Sequence, residues 1–91
     1  MPKTRVRHNN GKQELFSPDT LRESVLHSAT ANKVPAGQAE EIANKAVQHV
    51  EKWLQGRTMV TPQDIRRVAA KAVEPLHPGL GFFYASGNHI I

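Results

Sequence analysis

The chain has no cysteine. That excludes a disulfide framework, a thiolate zinc centre and thiol chemistry of any kind. It also has no apolar run approaching the roughly 18–20 residues of a membrane span. The polar turn that follows Lys3, Arg5 and Arg7 leaves no room for the apolar core of a secretory leader. A cytoplasmic protein without membrane attachment is therefore expected. No GxxxxGK[ST] phosphate loop is present, and Ser24, Ser28 and Ser86 lack the sequence context of a nucleophile elbow. Glu40 and Glu41 are adjacent on a helical stretch, so they point in different directions and do not make an acid/base pair. The five histidines, at positions 8, 27, 49, 77 and 89, show no H-x-x-x-H spacing and no clustered carboxylate, so no metal site is expected. With no catalytic constellation, the chain reads as a non-enzyme.

What is present begins with Val6-Arg7-His8-Asn9-Asn10-Gly11-Lys12-Gln13-Glu14-Leu15-Phe16-Ser17-Pro18. Asn10-Gly11 is the pair best suited to positive φ at both centres of a tight turn, which predicts a β-hairpin. Period-two alternation puts Val6 and His8 on one face and Arg5 and Arg7 on the other, with Glu14 and Phe16 sharing a face on the second arm. Ser17 can cap a helix that opens on Pro18, where a missing N–H is harmless.

That first helix should run to about Asn32, with Leu21, Val25, Leu26 and Ala29 inward and Arg22, Glu23 and His27 outward. A second, longer helix opens near Pro35. Its apolar face, Ala39, Ile42, Ala43, Ala46, Val47, Val50 and Leu54, is dominated by small side chains that let a neighbouring helix approach closely. Trp53 reads as an anchor closing one end of the core. Gln55-Gly56-Arg57 stops the helix, Thr58-Met59-Val60 fits a third, edge-like strand, and Thr61-Pro62 repeats the Ser17-Pro18 start with Asp64 at the reciprocal capping position. Ile65, Val68, Ala69, Ala72 and Val73 form the inner face of this third helix. Glu74-Pro75-Leu76-His77-Pro78 breaks it, and the aromatic stretch through Phe82, Phe83 and Tyr84 should pack as a short helix or extended segment over the bundle, with Ile90-Ile91 docking or fraying.

The expected order is β-β-α-α-β-α-α. It describes an α+β fold, a small helical bundle of about four helices capped by a three-stranded β-sheet. At 91 residues, without repeats, low-complexity tracts or a linker, the chain is expected to form one domain spanning 1–91. A domain of this size buries roughly 60–65% of its unfolded surface, so each large apolar residue counts. The net charge of +4 suits nucleotide phosphates, nucleic acid or a soluble surface, and does not choose among them. The basic clusters Lys3-Thr4-Arg5-Val6-Arg7 and Arg66-Arg67 to Lys71 could touch phosphates, or simply be an edge that resists pairing and a solvated helix face.

Those residues taken together resemble the ATP-cone domain, the nucleotide-binding regulatory module of many ribonucleotide reductases and of the repressor of their genes. The resemblance runs through the hairpin with Phe16-Ser17-Pro18-Asp19-Thr20-Leu21-Arg22, the long second helix, Thr61-Pro62-Gln63-Asp64-Ile65-Arg66, and Ala72-Val73-Glu74-Pro75-Leu76-His77-Pro78 to Tyr84-Ala85. It covers the chain from about Arg5 to Ala85, as an order and spacing rather than one diagnostic motif. It implies ATP or dATP, with or without Mg²⁺, held under the sheet as a ligand that is not hydrolysed. It also implies an effect on a ribonucleotide reductase-like enzyme or on self-association. The implied site comprises Val6 beside base and sugar, Glu14 at the nucleoside and Ser17 at the helix start, with His8, Asn9 and Thr20 at the positions that meet the phosphates and Arg7 beside them on the first strand. Where the family reads Lys-Arg this chain has His8-Asn9, and where it prefers Lys it has Thr20. Imidazole carries less positive charge than an ammonium at neutral pH. Ser86-Gly87-Asn88-His89 likewise lacks the basic residue that often follows the tyrosine. Arg7, Lys12, Arg22 and Arg57 are the candidates to compensate. Three readings stay open: a nucleotide-binding module with a weakened phosphate site, a degenerate cone serving as a protein-interaction module, and a small basic nucleic-acid binder.

Overall fold

The structure is a computed structural model, and it describes residues 4–80. The hairpin forms from β1 (Arg5–Arg7) and β2 (Gln13–Leu15), paired antiparallel with Val6 opposite Glu14. Its turn differs from the expected one. Gly11 alone has positive φ, at 86°, and Asn10 does not. The Gly11 amide donates to the His8 carbonyl at 2.9 Å, and the His8 amide donates to the Lys12 carbonyl at 2.8 Å. This is a longer connection, a tight turn followed by a left-handed glycine, rather than a two-residue loop with both centres at positive φ. Asn10 contributes through its side chain instead, accepting the Lys12 amide at 2.9 Å.

Helix α1 (Pro18–Ala31) starts as its sequence dictates, with Ser17 in extended backbone and its side chain accepting the Thr20 amide. Its far end is less ordinary. Lys33 takes φ 63°, the Val34 amide donates to Ala29 and the Lys33 amide to Thr30, both at 3.0 Å. That pattern closes the last turn with a left-handed residue, a position at which glycine is usual. Helix α2 (Ala36–Leu54) follows with Pro35 at its N-cap and no side-chain cap. After Gly56, at φ 81°, the chain returns to the sheet as β3 (Met59–Val60), parallel to β1. Helix α3 (Pro62–Val73) opens on a complete capping box, in which Thr61 and Asp64 satisfy each other's backbone amides. Residues 78–80 are helical again and begin a fourth helix. The α+β architecture is thus four helices under a three-stranded mixed sheet, ordered β2-β1-β3.

Helix α2 is the centre of the bundle, packed against both α1 and α3. Ala39, Ile42, Ala43, Ala46, Val50 and Leu54 are at most 1% exposed, so its small-residue face is closed on both sides. From above, Val6, Phe16 and Val60 complete the same core, and Leu80 joins it from the start of the fourth helix. On α3 the covered arc is wider than expected. At 100° per residue, Val68 and Ala70 lie on opposite sides of the Ile65–Ala69–Val73 line, and both are buried, whereas Ala72 is half-buried. Trp53 packs partly against the core and carries Arg57 over its ring, 4.2 Å from the centroid. Thr4 was not singled out by its sequence context, yet it is buried. Its hydroxyl donates to the Arg57 carbonyl at 2.7 Å, and its carbonyl accepts the Phe16 amide at 2.9 Å. It therefore fastens β1 to the loop before β3 and to the second hairpin arm. The expectations for Phe82, Phe83, Tyr84, Ala85 and the Ile90-Ile91 end lie outside the described residues.

Among the described residues no helix is long and apolar enough to cross a membrane.

Candidate functional site

The hairpin and the first turn of α1 enclose a concavity of about 310 Å³, counted to its open mouth and lined by Val6, His8, Glu14, Leu15, Phe16, Ser17 and Thr20. The sequence explains why these side chains meet. Val6 and Glu14 are register partners and share the inward face of the hairpin, with His8 two residues further along the same face. The second arm then runs directly into the helix cap, so Phe16 and Ser17 carry the wall from sheet to helix. Val6 and Phe16 are buried and form its apolar floor.

The polar side of the site is built around one carboxylate. Glu14 Oε1 lies 3.2 Å from Lys12 Nζ, and Oε2 lies 3.7 Å from His8 Nε2. Because Glu14 is about half exposed, at 52%, these pairs fix its direction more than they stabilise the fold. At the helix start, Ser17 Oγ accepts from the Thr20 amide at 3.3 Å and from the Thr20 hydroxyl at 3.1 Å. A hydroxyl has two acceptor lone pairs and one proton. Either hydroxyl of the pair can donate to the other, which leaves one of the two O–H groups for an incoming acceptor. Pro18 has no amide, the Thr20 amide goes to Ser17 Oγ, and the Leu21 amide goes to the Ser17 carbonyl at 3.2 Å. The Asp19 amide is then the first-turn donor without a partner among the described residues, at the end of the helix that favours negative charge.

Of the seven residues implied as a nucleotide site, Val6, His8, Glu14, Ser17 and Thr20 line this concavity and Arg7 and Asn9 do not. Arg7 is on the exposed outer face of β1, and Asn9 is exposed in the turn. The four candidate compensating cations divide in the same way. Lys12 reaches the rim through Glu14, whereas Arg22 Nε donates to Asn44 Oδ1 at 2.8 Å and Arg57 is stacked on Trp53. The ionisable side chains of the lining itself are therefore one carboxylate and one imidazole. Leu15 and Phe16 are the lining residues that the resemblance did not supply. The shared face of Phe16 and Glu14 was the signal for the second of them.

The remaining polar clusters are structural. Arg67 Nη2 lies 3.1 Å from Asp64 Oδ1, beside the capping box. The Thr61 amide donating to the Asp64 carboxylate, together with the Arg67 guanidinium, holds that carboxyl below its usual 3.8. No group of three or more potential metal ligands occurs among the described residues.

No protein-family model matches the chain, and no curated protein or solved structure is similar enough to count as a match.

Proposed function

We propose that this protein is a non-catalytic regulatory module that binds ATP or dATP beneath its hairpin, at a site with a weakened phosphate end. One observation carries the reading: Val6, His8, Glu14, Ser17 and Thr20 converge on a single concavity at the start of α1. Its chemistry suits a nucleoside. The small exposed edges of Val6 and Phe16 give a base apolar contact, and the Glu14 carboxylate accepts hydrogen bonds from sugar hydroxyls or an exocyclic amine. One hydroxyl of the Ser17–Thr20 pair and the Asp19 amide are donors for a phosphate oxygen at a helix start. The concavity is shallow and open, so base and sugar would seat against it with the phosphates extending out of its mouth towards Lys12.

Titration of the labelled protein with ATP and dATP in the presence of Mg²⁺ tests this. The expected result is saturable movement of the Val6, His8, Glu14, Ser17 and Thr20 amide resonances. Saturation confined to other residues, or no response at millimolar nucleotide, would defeat it.

A second reading draws on the lining's having one carboxylate and no lysine or arginine. In it the cone is retained as a protein-interaction module that no longer responds to nucleotide. The same titration separates the two.

A further inference from the structure

The outer face of the sheet is chemically unlike the site beneath it. Pairing registers put Arg5 opposite Leu15 on one side and opposite Met59 on the other, while Arg7 faces Gln13. Alternation sends Val6 inward and these five side chains outward. Leu15 is 60% exposed and Met59 43%, and of the three large hydrophobic residues exposed among those described, two flank the same arginine. Neither Arg5 nor Arg7 forms an ion pair with a described carboxylate. The result is an apolar pair crossed by an arginine row, all on short strands whose backbone is held in place by Thr4 and the core.

We infer that this face docks a short amphipathic protein segment that presents acidic side chains around an apolar ridge. Three considerations select that occupant. Unpaired arginines call for carboxylate or phosphate, but Leu15 and Met59 gain nothing from a phosphate backbone and are desolvated only by an apolar partner. A second copy of the same face would oppose arginine to arginine, which is repulsive. The footprint is also small. Three strands about 4.8 Å apart and residues rising about 3.3 Å each give a patch roughly 10 Å on a side. That matches one helix of about 10–12 Å diameter and falls far short of the about 800 Å² per partner of a standard interface between globular proteins. Met59, with its flexible thioether, adapts to different apolar ridges. Leu15 borders both surfaces, whereas Arg5, Arg7, Gln13 and Met59 lie outside the lining of the nucleotide site.

The test uses the full chain and a synthetic helical peptide of roughly 16 residues, with Leu and Phe on one face and Glu elsewhere. A second peptide replaces every Glu by Lys, and an oligothymidylate serves as the nucleic-acid probe. The expected result is salt-sensitive binding of the acidic peptide that moves the Arg5, Arg7, Gln13 and Met59 resonances. It should be weakened about tenfold or more by Arg5→Glu and again by Met59→Ser. Both substitutions are at exposed positions, and thermal melts establish that the variants fold. Equal binding of the Lys peptide, oligothymidylate binding to these residues in place of the acidic peptide, or shifts confined to other surfaces would each overturn the inference. The ATP response recorded on the same two variants should be unchanged. Loss of peptide binding and loss of nucleotide binding are thereby read separately.

Discussion

The amide of Val34 donates 3.0 Å back to the carbonyl of Ala29, and this contact closes α1 only because Lys33 between them adopts φ 63°. A side chain bearing a Cβ is held where glycine is at ease, at a cost of about 1–2 kcal/mol, partly offset by the greater freedom glycine has when unfolded. Lys33→Gly is therefore expected to stabilise the protein by about 0.5–1 kcal/mol, seen as a rise in Tm of roughly 2–8 °C by circular dichroism. An unchanged or lower Tm would mean that the lysine side chain contributes a compensating contact.

At the start of α3 the same backbone problem is solved by reciprocal hydrogen bonds. Thr61→Ala and Asp64→Ala should each cost about 0.5–2 kcal/mol, and the double variant less than the sum, because one motif is lost in either case. The Asp64 carboxyl is held below its usual 3.8 by the Thr61 amide and by Arg67. A depressed folded value means that the charged form is the stabilised one. Its contribution is complete about one pH unit above the ordinary value of 3.8 and disappears as pH falls through the folded value. The Tm difference between the native protein and Asp64→Ala should accordingly be constant near neutrality and shrink below about pH 3.8.

The closeness of α2 to both neighbours predicts an asymmetric tolerance to size. Ala43 is fully buried, so Ala43→Leu forces helices apart and should destabilise by about 1–3 kcal/mol or more in urea unfolding. Gln48→Leu, on the exposed side of the same helix, should stay within about 0.5 kcal/mol. Similar losses at both positions would contradict the packing described.

In the candidate site, His8→Lys puts a full positive charge where the lining now has an imidazole. If nucleotide phosphates approach the mouth past His8, affinity for ATP should rise about three- to tenfold, by roughly 1 kcal/mol in calorimetric titration. An unchanged affinity would mean that phosphates leave the concavity on the Ser17 side.

Features decided within three or four residues were legible in the sequence. Ser17-Pro18 and Thr61-Pro62 start helices because an oxygen, a prolyl ring and the next amides settle the matter locally. The small-residue face of α2 was legible through its period. The Asn10-Gly11 turn was legible as a turn but not in type, since one dipeptide serves two loop lengths and the choice depends on how the arms pair. Lys33 gave no signal, because the left-handed end of α1 is imposed by the chain's return towards α2 rather than by a glycine. Arg22 meeting Asn44, and Thr4 meeting Arg57, join positions far apart in sequence, and only the packed bundle brings them together. For the same reason the hairpin face of the site could be read in advance, while the diversion of Arg22 and Arg57 away from it could not.

The bond from Thr4 to Arg57 spans 53 positions, and β3 cannot lie parallel to β1 until the chain between them has folded into two helices. The two-strand hairpin is a local object that can form and dissolve in microseconds, whereas the third strand must await a long loop closure with its attendant entropy. The sheet is complete only once that long-range pairing is made, and its opening exposes a central strand with no partner on one edge. A ligand in the concavity touches the hairpin and the first turn of α1 and no residue of β3. Its binding stabilises the folded molecule in proportion to the logarithm of its concentration, and hydrogen exchange in the hairpin should slow when it is present, while exchange at Val60 slows only where it proceeds through global unfolding.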